Sequence, residues 1–193
     1  MYSNMVPKKE YKKNDSLLEL YIVGMANRDK DSLINFYEMT KKDVFAFILS
    51  IVKNYDDAED IFQDIYVRIY ENANLYQLRG KPLAWVLTIA KNLCYAKLNG
   101  NKETIDIDEV YNLSGNDKIA DDVSNKLFIK SLFEKIDNTD RNIVVLHVVS
   151  GLKFREIADL IDLSLSTVLS KYHRTIKKLN KILKEEMKWK EKL

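Results

Sequence analysis

Chain-breaking residues are scarce in this 193-residue sequence, which holds five glycines and two prolines. Average usage would supply roughly 23 of the two together. That scarcity excludes a turn-rich sandwich or barrel, a glycine-rich phosphate loop and a low-complexity chain. The single cysteine, Cys94, cannot form an internal disulfide, and with two histidines it leaves too few ligands for a protein-built zinc site. Long apolar runs are missing as well. The longest spans residues 44–52 with one serine inside it, far short of the ~20 residues that cross a bilayer. The opening MYSNMVPKKEYKKND has no apolar core of the kind a signal peptide needs. These absences predict a cytoplasmic protein with no membrane span, no metal and no cofactor.

What is present is 46% hydrophobic and 31% charged residues, the balance of a globular, mostly helical chain. The net charge of +2 conceals segregation. Residues 1–13 carry +3, residues 56–71 carry −5, residues 103–122 carry −6 and residues 165–193 carry +6. A basic end and an acidic middle point to nucleic acid at one place and a basic partner at another; solvated helical faces account for each block taken alone.

Apolar residues recur at steps of three and four through the first half. A short pattern from Leu17 to Met25 ends at Asn27-Arg28-Asp29, and a long one runs from Leu33 to Val52. In DDAEDIFQDIYVRIYENA four early acids suit a helix N-terminus, and Ala58, Ile61, Phe62, Ile65 and Ile69 form the inward stripe. Pro82 is placed to start the next helix. Leu83, Leu87, Ala90, Cys94 and Lys97/Leu98 form its core stripe, beside a second stripe of Trp85, Thr88, Asn92, Tyr95 and Asn99. Residues 100–122 lose helical periodicity and read as a linker able to reach roughly 75 Å.

The second half begins near Asp122 with a helix over residues 123–136. In NTDRNIVVLHVVSG the β-branched residues favour a strand. Asn138 or Thr139 as a cap, Gly151 as a stop and the lack of any strand partner favour a helix. Phe154, Ile157, Ala158 and Ile161 then share one face of a two-turn helix. Asp162-Leu163-Ser164 makes a tight turn, and Ser164 caps a long basic helix. A short helix bracing a second one whose first turns reach base edges is the helix-turn-helix arrangement. Ser166, Thr167, Leu169, Ser170 and Lys171 occupy the reading end. Lys171, Arg174 and Lys178 are placed to hold phosphates. A basic amphipathic helix that binds protein, or nothing, is the competing reading.

DAEDIFQDIYVRIY, PLAWVLTIAKNL and GLKFREIADLIDLSLSTVLSKYHRTIKKL, in that order, resemble bacterial RNA polymerase sigma factors of the small extracytoplasmic-function group. The resemblance covers nearly the whole chain after residue 15. It implies an all-α fold of two small helical bundles joined by a flexible linker, the second holding the helix-turn-helix. The implied domains are a basic tail (1–14), a region 2 domain (15–99), an acidic linker (100–122) and a region 4 domain (123–193). The implied function is promoter recognition, duplex opening and transcription initiation with core RNA polymerase, engaged through its β′ clamp and β flap.

By the same resemblance, Asp60, Gln63 and Asp64 lie on the helix that docks on the clamp. Trp85, Lys91, Asn92 and Tyr95 meet the minus-ten element, with residues 74–81 cradling a flipped base; a core tryptophan is the plainer reading of Trp85. The helix-turn-helix reads the minus-thirty-five element. After IAKN, where many members carry an aspartate and paired arginines, this chain reads LCYAKLNGNK, which predicts weaker phosphate binding there. The acidic linker reads equally as a mimic of nucleic acid inside the polymerase and as a solvated tether. An anti-sigma partner is implied; a small-molecule substrate is not. No catalytic set appears: His147 reads as core, His173 lies between basic and buried faces, and Cys94 faces inward. A stand-alone helix-turn-helix regulator and a helical adaptor that binds only proteins are the rival functions.

Overall fold

The computed structural model describes the backbone of residues 8–100 and 133–190, and the side chains of residues 15–100 and 133–185. The linker expected after Gly100 and most of the helix expected over 123–136 lie outside the described residues. The chain divides into two compact units, Met1–Asp106 and Ile107–Leu193.

The first unit contains α1 (Lys8–Ala26), α2 (Lys30–Val52), α3 (Tyr55–Glu71), a 3₁₀ turn (Ala73–Leu75) and α4 (Pro82–Gly100). Helix α1 starts at Lys8, inside the stretch read from sequence as a basic tail. Helix α2 is the hub and packs against α1, α3 and α4. Its Phe36, Val44, Phe47 and Ile48 have no exposed surface, and each such side chain contributes about 1.5–3 kcal/mol by leaving water.

The turn into α2 is closed by Asp29, whose carboxylate accepts the Asp31 and Ser32 N–H groups. Gly24 lies against this corner, where a Cβ would collide with Ser32. Asn54 caps α3 by accepting the Asp57 N–H at 3.0 Å. Tyr66 joins the α3 stripe expected from sequence and pins α3 to α2 through a 3.0 Å hydrogen bond between its hydroxyl and that of Thr40. On α4 the buried stripe is Pro82, Val86, Leu87, Ala90 and Cys94. Burial pushes the Cys94 thiol up to about 12, so it is inert as a nucleophile.

The second unit contains α5 (Asn138–Val144), continued by a π turn (Val145–Val149), then α6 (Phe154–Ile161) and α7 (Leu165–Lys190). The β-branched run is helical, as its flanking signals indicated, but its cap residue is Asp137 rather than Asn138 or Thr139. The π register closes with the Ser150 N–H donating to the Val145 carbonyl at 3.2 Å, and Gly151 follows at φ +65°. This wider turn leaves Val148 and Val149 exposed while Ile143 to Leu146 are buried. His147 is half-buried, not core. It stacks on Phe154 at 4.1 Å and meets Tyr172 edge-on at 5.0 Å. Among the described residues there is no strand.

Candidate nucleic-acid and partner interfaces

Helix α3 buries one face and leaves Asp60, Gln63 and Asp64 exposed together on the other. Asp60 is not alone there. The Lys97 ammonium, arriving from α4, lies 3.2 Å from Asp60 and 3.3 Å from Asp57. The hydrogen bonds that Lys97 donates to the Asp60 and Asp57 carboxylates raise its pKa above the ordinary value. The sequence pattern put Lys97 and Leu98 in the core stripe of α4. In the structure Leu98 is exposed and Lys97 reaches sideways to α3, a pairing between residues 37 and 40 positions apart that periodicity does not show.

On α4, Asn92 and Tyr95 are exposed, and Trp85 and Lys91 are half-buried. Trp85 is therefore neither wholly core nor wholly platform. One side of its ring is tilted against Tyr76, with centroids 5.2 Å apart. The loop before α4 is held by a residue that the sequence reading passed over, Glu19 of α1. One oxygen of its carboxylate accepts the Tyr76 hydroxyl at 2.7 Å and the Gly80 N–H at 2.8 Å. Burial pushes the Tyr76 phenol up to about 12, so it stays a donor. Gly80 sits at φ +65°, where only glycine is unstrained. The loop is thus fixed at its middle and at its end, while Leu75 and Leu78 face outward.

In the second unit Asp162 takes the left-handed conformation that lets α6 turn sharply into α7. The Ser164 hydroxyl oxygen accepts the Thr167 N–H at 3.1 Å, the expected cap. Val168 is fully buried beneath it. Ser166 and Ser170 are exposed; Thr167 and Leu169 are half-exposed. Ser170 donates back to the Ser166 carbonyl at 2.8 Å, and the hydroxyls of Ser164 and Thr167 lie 2.7 Å apart.

The cations behind this end are less free than their spacing implied. Asp140, on the first turn of α5 and nearly buried, takes Lys171 at 2.8 Å and Thr175 at 2.9 Å, with Arg174 at 3.6 Å. Burial alone would raise this carboxyl; bonds from Lys171 and Thr175 and the charges of Lys171 and Arg174 hold it below its ordinary value. Lys178 donates to the Lys135 carbonyl.

Two family models match this chain. Sigma-70 region 2 matches residues 36–104, over α2, α3 and α4, and Sigma-70 region 4 matches residues 129–179, over α5, α6 and most of α7. The chain is a sigma factor of the extracytoplasmic-function group. Similar proteins include an ECF RNA polymerase sigma factor SigK of Mycolicibacterium vanbaalenii, 24% identical over 86% of this chain and 89% of its own. Its namesake in Mycobacterium bovis is 22% identical over 86% and 93%. Among solved structures, this sigma factor shares its fold with CnrH in complex with the cytosolic domain of CnrY. The TM-score is 0.64, with 16% identity over 88% of this chain and 98% of that one. It also resembles the sigma factor RpoE bound to the anti-sigma factor NepR from Bartonella quintana, at TM-score 0.62 and 19% identity over 78% and 97%. The expected fold and family hold, and a sigma factor serves transcription initiation, which displaces the stand-alone regulator and the adaptor. Among the described residues no cluster of His, Cys, Asp and Glu is grouped to hold a metal, and no helix is long and apolar enough to cross a membrane.

Proposed function

We propose that this sigma factor acts in the cytoplasm by binding rather than by catalysis, and that its two units take different parts of one promoter. In this reading Asp60, Gln63 and Asp64 on α3 dock on the β′ clamp of core RNA polymerase, an acidic face meeting a basic one. Trp85, Lys91, Asn92 and Tyr95 on α4 meet the melted minus-ten strand, with bases stacking on the aromatic rings and the lysine near the backbone. The second unit lies by the β flap and lays the start of α7 in the major groove of the minus-thirty-five element. There Ser166, Thr167 and Ser170 offer hydroxyls to base edges, and Leu169 offers contact to a thymine methyl. Lys171 and Lys178, expected to hold phosphates, are engaged instead by Asp140 and the Lys135 carbonyl, and Arg174, the most loosely held of the three, adds positive potential along the flank.

The observation that carries this reading is the fixed loop beside α4: Glu19 holds residues 76 and 80, and Tyr76 packs in turn against the half-buried Trp85. A preorganised aromatic shelf suits capture of unpaired bases, since little ordering remains to be done on binding. Partners follow the same logic. Core polymerase and promoter DNA are primary, and an anti-sigma protein of the kind bound by the structural relative RpoE holds the factor in reserve.

The test is transcription in vitro with core enzyme on a library of genomic templates. Core plus this chain should start transcripts at a small set of promoters sharing two spaced elements. Transcription that is unchanged by adding the chain would overturn the proposal.

A further inference from the structure

Along α7 the residues Ser166, Ser170, His173, Lys177, Lys181 and Lys184 recur every three or four positions and are all exposed. At 3.6 residues per turn they form one continuous line that begins at the reading end of the helix. Lys171, Arg174 and Lys178 lie to one side of this line, where Asp140 of α5 and the Lys135 carbonyl, in the turn before α5, engage them. The helix therefore carries two sets of cations with different surroundings. Lys177 and Lys184 make no hydrogen bond or ion pair with the described residues, and Lys181 has only a 3.9 Å approach to the exposed Glu185.

A lysine that already holds a nearly buried carboxylate must give up that bond to reach phosphate, and it would leave Asp140 without its strongest partner. A lysine with no partner gives up nothing but water. Lys177 and Lys184 are separated by about 10 Å along the axis, comparable with three phosphate-to-phosphate steps of one strand at about 3.4 Å of rise each. The stretch matched to region 4 ends at residue 179, so Lys181 and Lys184 lie beyond it.

We propose that Lys177, Lys181 and Lys184 form a phosphate-contacting strip that extends the grip of α7 along duplex DNA past the bases read by its first turns. Lys171 and Lys178 are struts that fix α7 to the rest of its unit and contribute little to phosphate contact. This inference rests on the helix-turn-helix reading above and adds to it a second, sequence-independent surface.

The test uses holoenzyme assembled from core polymerase and the full chain, bound to a promoter duplex over a range of salt. Each lost phosphate contact reduces the slope of log K against log salt by about 0.9. The combined variant K177Q/K181Q/K184Q should lower the slope by about 2 to 3 and leave the preference for a matched over a scrambled minus-thirty-five element unchanged. Lys171→Met should leave the slope as it is; Lys178→Met, whose bond goes only to a carbonyl, repeats that check with less risk to folding. An unaltered slope in the combined variant overturns the strip, as does a loss of about 1 in either methionine variant. Weaker assembly with core polymerase at an unaltered slope would assign the strip to an acidic protein surface instead. If wild-type holoenzyme binds matched and scrambled elements alike, the helix-turn-helix reading itself fails, and the strip fails with it.

Discussion

The ammonium of Lys97, near the end of α4, lies 3.2 Å from the carboxylate of Asp60 on α3. The helix assigned to the minus-ten strand is thereby coupled to the face assigned to the polymerase clamp. Asp64, one turn further along α3, is exposed on the same face.

Charge reversal separates the two roles. Asp64→Lys should weaken association with core polymerase about tenfold and leave the melting temperature unchanged, as read by co-purification and circular dichroism. Asp60→Lys should weaken association similarly, and it should also destabilise the first unit by up to about 1 kcal/mol, the range of exposed ion pairs, because Lys97 then faces a cation. Undiminished association in both variants would remove α3 from the docking surface.

The aromatic shelf makes a separate demand. Trp85→Ala should reduce promoter opening roughly 5- to 150-fold, the equivalent of one lost stacking contact of about 1–3 kcal/mol, and leave holoenzyme assembly intact. Permanganate reactivity of melted thymines reads this directly. Glu19→Ala should show the same defect in weaker form, because it frees Tyr76 and Gly80 without touching Trp85. Normal opening by the Trp85 variant would show that the ring serves only packing.

Asp140 ties α5 to α7 through Lys171 and Thr175. Asp140→Ala should destabilise the second unit by about 1–3 kcal/mol, since it strands a partly buried lysine and a buried hydroxyl. Faster hydrogen exchange over residues 138–149 and 165–176 measures the loss. The Asp140 carboxyl titrates below its ordinary value when folded. Its contribution is therefore complete above the unfolded value of about 3.9 and disappears as pH falls through the lower, folded value. Asp140→Asn should remove that part of the acid sensitivity.

Asp43 behaves in the opposite sense. Burial on α2 pushes its carboxyl up to about 6, with Lys42 opposing. The folded state then binds a proton more readily than the unfolded chain, so this residue adds stability as pH falls from about 7 toward 4. Asp43→Asn should stabilise the first unit by about 1–2 kcal/mol at pH 7, after allowance for solvent screening. The advantage should shrink to nothing near pH 4. Equal stability of the two forms at pH 7 in thermal unfolding would contradict this.

Much of the architecture is legible in linear spacing. Periods of three and four located α2, α3, α4, α6 and α7, and the cap at Ser164 is local chemistry within a few residues; α3 is capped by Asn54, just ahead of the acids expected at its start. The helix through residues 143–149 was legible only because its flanking signals outweighed β-branched propensity. The pattern erred where a side chain answers to a distant helix: Lys97 leaves the core stripe for Asp57 and Asp60, and Val86 takes a place in that stripe. The candidate site was legible only as residue types on faces. Glu19 was not, because nothing near position 19 signals a partner 57 or 61 residues away.

The sequence by itself determined that this protein is helical, that its second half holds a helix-turn-helix whose second helix is long and basic, and that its ordered motifs resemble those of a sigma factor. The first two follow from periodicity, capping and composition, which act over a few neighbouring residues; the third rests on the resemblance of three ordered motifs to a known family. Only the tertiary structure decided which lysines of α7 are held by Asp140 and the Lys135 carbonyl, which remain open to solvent, and how firmly the loop beside Trp85 is fixed. A lysine has the same charge wherever it falls in a helical repeat; whether that charge is available depends on the carboxylates and carbonyls that folding brings within about 3 Å of it.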